Sequence, residues 1–113
     1  MTSDGLQRCM IPTFGGFELI DIHSIVCGSG KGKTSIVHLS TGETLHTHCS
    51  LGKLFELIGS ETFAQAHRSH LVNIHQIKKY ESGTITMSDG TSVPLARRRK
   101  SELIKRLKTA YKM

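Results

Sequence analysis

The stretch that decides the fold is Phe63-Ala64-Gln65-Ala66-His67-Arg68-Ser69-His70-Leu71-Val72-Asn73. A polar, half-basic cluster, His67-Arg68-Ser69-His70, stands between two apolar shoulders. Such a cluster needs either burial with partners or exposure to something that accepts hydrogen bonds. His67, Arg68 and Ser69 can donate to phosphate oxygens, and the Arg68 guanidinium can fork onto a guanine edge. His67 stays open between a phosphate contact and a buried partner for a neighbouring strand. Asn73 follows two apolar residues at a strand end, where its amide is expected to satisfy turn backbone.

Downstream of it, Ile74 to Tyr80 and Thr84 to Met87 flank Glu81-Ser82-Gly83, which predicts a hairpin. Ser88-Asp89-Gly90-Thr91 turns into Ser92-Val93-Pro94-Leu95. Pro94 cannot donate to a ladder, so this strand is an edge or is about to leave the sheet. After the basic run Arg97-Arg98-Arg99-Lys100, residues Glu102 to Tyr111 carry Leu103, Ile104, Leu107 and Tyr111 on one side and lysines on the other, a final short helix.

Upstream, Ser50 can cap a helix whose stripe is Leu51, Leu54, Phe55 and Ile58, and Gly59 ends it. Thr34 to Leu39, a turn at Ser40-Thr41-Gly42 and Glu43 to His48 form another hairpin signature. Gly28 to Lys33 reads as a flexible loop with two positive charges. It lacks the GxxxxGK[ST] spacing of a phosphate loop. Phe17 to Ile20 and His23 to Cys27 predict short strands around a bend at Asp21. Residues 1–14 form a tail or linker ending in a first short strand, ahead of one domain over 15–113. There is no repeat and no low-complexity segment. The fold class is mainly β, many short strands with two short helices.

The 113 residues fit one domain. No apolar run approaches the roughly 20 residues of a membrane span. Asp4, Gln7 and Arg8 break any signal-peptide pattern, so a cytoplasmic location is expected. The net charge is +6, and its placement is lopsided: eight of the fifteen basic residues lie between Arg97 and Lys112, against the single acid Glu102. That asymmetry suits a nucleic acid or an acidic surface.

Cys9, Cys27 and Cys49 are odd in number and widely spaced, so neither a disulfide framework nor a CxxC motif is expected. His46, His48 and Cys49 invite a zinc reading, as does His67 with His70 and His75. Alternation puts Cys49 opposite the two histidines, and no second ligand pair follows at finger spacing. The favoured reading takes all three as surface and strand residues, polar groups on the wet face of an edge strand, with no metal and no cofactor.

The central stretch, taken with Val93-Pro94-Leu95-Ala96-Arg97-Arg98-Arg99-Lys100, resembles the LytTR family of bacterial DNA-binding output domains. The shared features are an aromatic-x-x-x-His-Arg-Ser-x-Leu-Val-Asn string and, about two dozen residues on, a proline-led strand ending in arginines. The resemblance spans Ile11 to Leu107. It departs at the first hairpin, where Gly28-Ser29-Gly30 replaces an acidic part and Lys33-Thr34 an Asn-Tyr pair. It implies three small antiparallel sheets in a stack, whose loops enter successive major grooves of promoter direct repeats. Two copies can pair on such DNA, and most relatives carry a receiver domain. The residues it assigns to DNA are Lys31, Lys33, His67, Arg68, Ser69, Arg97, Arg98, Arg99 and Lys100. The implied role is transcription regulation in a two-component system, with no membrane and no small-molecule substrate.

An enzyme is disfavoured, because the acids are scattered singly and no Ser-His-Asp order is evident. An RNA-binding module needs exposed stacking aromatics, and there are only four Phe and two Tyr. A basic protein-interaction module is the third class. Preference for duplex over single strands at matched salt separates the first pair of binding readings; protein capture without any DNA shift marks the third.

Overall fold

The computed structural model describes residues 7–59 and 61–111. Its strands are β1 (Arg8–Pro12), β2 (Phe17–Asp21), β3 (Ile25–Lys31), β4 (Thr34–Leu39), β5 (Thr44–Thr47), β6 (Phe63–His67), β7 (His70–Asn73), β8 (Ile77–Glu81), β9 (Thr84–Met87) and β10 (Ser92–Pro94). Two helices, α1 (Leu51–Ile58) and α2 (Lys100–Tyr111), complete the set. The strands form three antiparallel sheets: β1-β2, β5-β4-β3-β7-β6, and β10-β9-β8.

The five-stranded sheet lies in the middle, and β7 shows why. Successive side chains of a strand face opposite ways, so Leu71 and Val72 serve different cores. Leu71 joins Phe63 and Val37 under α1 and the β1-β2 hairpin, with Leu54 and Ile11. Val72 joins Ala64 and Ala66 against the third sheet and α2, with Ile85, Met87 and Leu103. A strand buried on both faces loses apolar-polar alternation, hence the unbroken Leu71-Val72 pair. In β3 the pairing register shifts between Ile25 and Cys27. Ile25 consequently packs in the first core while Val26 and Cys27 pack in the second.

Two corners step the chain from sheet to sheet by one device. After β2, Asp21 Oδ1 accepts the His23 N–H at 2.9 Å and caps a 3-10 turn over Ile22–Ser24. After β7, Asn73 Oδ1 accepts the His75 N–H at 2.9 Å and caps a 3-10 turn over Ile74–Gln76. Asp21-Ile22-His23-Ser24-Ile25 and Asn73-Ile74-His75-Gln76-Ile77 are thus a short internal repeat, which the sequence reading did not find. Each corner takes residues that had been expected at the start of a strand. Asn73 also donates from Nδ2 to the Ile25 carbonyl at 2.9 Å, tying the second corner to the first.

Two other expectations are corrected. Gly28 to Gly30 is strand, not loop: β3 runs to Lys31 and the turn is confined to Gly32 and Lys33, with Gly32 at φ +63°. The glycines are there because α1 lies across β3. A Cβ on Gly30 would stand 2.6 Å from Leu51 Cβ, and one on Gly28 would stand 3.3 Å from Leu54 Cδ2. Cys49 is buried in the first core, not placed on a wet face, and its carbonyl accepts from Ser35 Oγ and Thr47 Oγ1. The N-terminal stretch carries a short strand, as expected there: β1, which brings Cys9 and Ile11 into that core. Residues 1–6 of the expected tail, and Lys112 of the basic run, lie outside the described residues.

The remaining elements follow their local chemistry. Ser50 Oγ accepts the Lys53 N–H and caps α1, and Gly59 closes it, as expected. β5 and β10 are edge strands, and Pro94 sits on the latter. His46 is exposed on β5, while His48 lies beyond that strand and stacks on Phe14, ring centroids 4.8 Å apart. α2 begins at Lys100, two residues earlier than expected, after a 3-10 turn over Arg97–Arg99. Arg106 clamps it, donating to the carbonyls of Phe63 at 2.9 Å and Glu61 at 3.0 Å. No described helix is long and apolar enough to cross a membrane.

Candidate nucleic-acid interface

Strand pairing brings three basic segments to one end of the central sheet. β3 and β7 are antiparallel neighbours with Ser29 opposite His70. The β3-β4 turn, with Lys31 and Lys33, therefore lies beside the β6-β7 turn, with Arg68 and Ser69. A main-chain bond locks the two together: the Gly30 N–H donates to the Ser69 carbonyl at 3.0 Å. The third segment joins through another, from the Ala96 N–H to the Ala66 carbonyl at 2.8 Å. Ala66 immediately precedes His67, so the turn that begins at Arg97 starts beside the β6-β7 turn. Main chain aligns the end and leaves the side chains free.

Lys31, Lys33, Arg68, Arg97, Arg98 and Lys100 are exposed there. A cluster of cations raises the local potential and draws a polyanion. The basic run splits by the geometry of its 3-10 turn. Arg98 and Arg99 line a groove against Gln65 of β6, with Glu102 on its wall. Arg97 and Lys100 face the other flank of α2, beside Lys105 and Lys108. Lys100 Nζ stands 5.3 Å from the Tyr80 ring centroid, a cation–π contact that steadies it. Arg99 is half-buried, and its Nε has no hydrogen-bond partner.

His67 is half-buried and turned inward. Its Nδ1 accepts the Ser69 N–H at 3.2 Å, closing the turn that carries Arg68. Its ring meets the His70 ring edge-on, centroids 5.5 Å apart. Burial lowers the His70 pKa from its ordinary value, and the charges of His67 and His38 lower it further. His70 Nδ1 is buried without a partner. A neutral imidazole suits that place, because a charged one would be desolvated next to two others.

The histidines weighed together do not all meet. His75 lies at the opposite end of β7 from His67 and meets Tyr111 Oη at 3.2 Å. Among the described residues no three His, Cys, Asp or Glu side chains form a metal-binding group. All three thiols are buried and unpaired. Burial, with Asp89 nearby, pushes the Cys27 thiol up to about 12.

Sequence reasoning found the three basic segments but missed what holds them. Gly30 reads as a flexible residue by composition, while its N–H is the link between two turns. Lys105 and Lys108, three residues apart on one helix face, went unsingled, although they line the same flank as Arg97 and Lys100.

Known proteins bear on this arrangement. No curated protein matches the chain. One solved structure that does match is the LytTr DNA-binding domain of a Bacillus cereus protein described as a methyl-accepting/DNA response regulator. The TM-score is 0.71 at 24% identity, over 88% of this chain and 95% of that one, so the two share the fold. The family model for the LytTr DNA-binding domain matches residues 15–108, from just before β2 through most of α2, and both basic turns and the arginine run lie inside it. The chain belongs to the LytTR family of DNA-binding domains.

Proposed function

We propose that this domain reads duplex DNA sequence-specifically as the output module of a transcription regulator. The observation that carries the reading is the alignment of two basic turns and the Arg97–Arg99 turn at one end of the central sheet by Gly30–Ser69 and Ala96–Ala66 main-chain bonds. Turns aligned in this way can enter successive major grooves without a recognition helix, and direct repeats in a promoter would seat two copies side by side. Phosphate contacts from Lys31, Lys33, Arg97, Arg99 and Lys100 supply position and salt-dependent affinity, with Ser69 adding a hydroxyl donor. Arg68 and Arg98, both exposed, are the base readers. His67 acts from behind the turn, because its Nδ1 is already engaged. The module works by binding, with no catalytic step. The response-regulator title of the Bacillus cereus protein supports a place in two-component signalling, with the receiver on the same or another chain.

Enrichment of random duplexes on the purified chain tests this, followed by base-preference profiles of variants. One bidentate Arg–guanine contact discriminates by about 1–3 kcal/mol, whereas one phosphate contact weakens all sequences alike. Arg68→Ala and Arg98→Ala flatten preference at one or two bases each, while Lys100→Ala lowers affinity and keeps preference. Equal loss on specific and random DNA for both arginine variants would show that they position the domain and do not read bases.

A further inference from the structure

We infer that the groove between α2 and β8 is a docking site for an acidic amphipathic segment of another protein. The inference is independent of which bases the turns read. The groove holds about 370 Å³. Its floor is apolar: Ile77 and Tyr80 from β8, and Ile104, Leu107 and Tyr111 from α2. The last three fall at i, i+3 and i+7 of one helix face, which makes a continuous strip. Tyr111 is 56% exposed even with the His75 ring edge-on to it, centroids 6.2 Å apart. Its rim is basic: Lys78, Lys79 and Lys108 line it, all exposed, and no acidic residue does. Glu81 pairs with Lys79 at 3.5 Å, leaving Lys78 and Lys108 as rim cations without an ion pair among the described residues.

The chemistry of the floor selects the class of partner. Phosphates would be satisfied by lysines alone and gain nothing from an isoleucine-leucine-tyrosine floor. A segment with apolar residues at helical spacing and carboxylates on its flanks satisfies both parts at once, the helix-in-groove mode of recognition. Position favours it too. Tyr80 lies toward the basic end, where its Oη accepts the Gly83 N–H and Gly83 in turn meets Leu95. Tyr111 lies at the far end, its Oη donating to the Ile74 carbonyl. The groove therefore runs away from the turns proposed to hold DNA, and a partner in it would approach from the side of the bound domain.

The test uses the intact 113-residue chain. The probe is a fluorescein-labelled synthetic 18-residue peptide with leucines at i, i+3, i+4 and i+7 and glutamates between them. The controls are the same peptide with lysines for glutamates, and one with alanines for leucines. The leucine-glutamate peptide should bind at least tenfold more tightly than either control. It should shift the NMR signals of Ile77, Ile104 and Tyr111, whereas a duplex shifts those of Arg68 and Lys33. Tyr111→Ala and the double variant Lys78→Gln/Lys108→Gln should each weaken the peptide by roughly tenfold, with unchanged circular dichroism. Equal binding of the alanine-glutamate peptide, or shifts confined to the basic turns, would mean that charge alone is being read and would overturn the proposal. So would no binding at millimolar peptide. Loss of duplex binding with peptide binding intact would instead count against the DNA reading alone.

Discussion

The main-chain N–H of Ser69 donates to Nδ1 of His67 at 3.2 Å, and that bond closes the turn from which Arg68 reaches solvent. An imidazole can accept at Nδ1 only while that nitrogen carries no proton. The bond is worth on the order of 0.5–1.5 kcal/mol. His67→Ala should therefore lower specific DNA affinity by a few fold through a looser turn, with little change on random DNA. His67→Asn, whose side-chain oxygen can accept the same N–H, should recover most of the loss. Equal defects in the two variants, measured by fluorescence anisotropy, would mean that the ring itself touches DNA.

His70 gives the fold an acid limb. Its folded pKa is below the ordinary histidine value near 6.5, chiefly through burial. The unfolded chain therefore takes up this proton before the folded one does. Stability is full above the unfolded pKa and falls as pH drops through the window below it, levelling off beneath the folded pKa. Thermal melts between pH 7.5 and 5 should show the decline, and His70→Gln should make it shallower. An unchanged slope in the variant would place the acid sensitivity elsewhere.

Gly30→Ala should be among the costliest single-methyl additions in the chain. The new Cβ would meet Leu51 Cβ at 2.6 Å, forcing helix or strand to move, against 3.3 Å to a flexible Leu54 methyl for Gly28→Ala. Overpacking of this kind costs about 1–3 kcal/mol, or roughly 4–8 °C in Tm per kcal/mol for a domain near this size. Leu51→Ala should not rescue it, because the clashing atom survives that change. Urea denaturation of the two glycine variants ranks them directly.

Salt tests the phosphate contacts as a group. With roughly five of them the log–log slope of affinity against salt should lie near −4 to −5. A titration over a several-fold range of salt that returned a slope near zero would remove the electrostatic basis of the proposed interface.

Where the sequence spoke plainly, one residue type had one job. Ser50 and Gly59 bracket α1, and the Leu51-Leu54-Ile58 stripe says which face is buried. The polar cluster at His67–His70 sits where a hairpin must turn. β3 was illegible because its Gly28-Ser29-Gly30 run records the closeness of α1, a contact more than twenty residues away, and composition alone reads the same letters as flexibility. Cys49 misled although alternation sets it opposite His46 and His48, because it lies past β5, just ahead of α1, where the strand pattern no longer says which side faces the core. The repeated corner hid behind a different first residue, Asp21 in one copy and Asn73 in the other. Both cap through an Oδ1, but only an amide can also reach the Ile25 carbonyl as a donor.

The three basic segments are held in line by amide and carbonyl groups that every residue possesses. The exposed side chains of these segments are thereby uncoupled from what keeps the domain folded. Arg68 and Arg98 are exposed, so if they read bases as proposed, exchanging them would alter the message and leave the packing untouched. On that reading such a frame would drift toward new operators one residue at a time with little folding penalty, and it would offer an engineer two positions to rewrite on a fixed support.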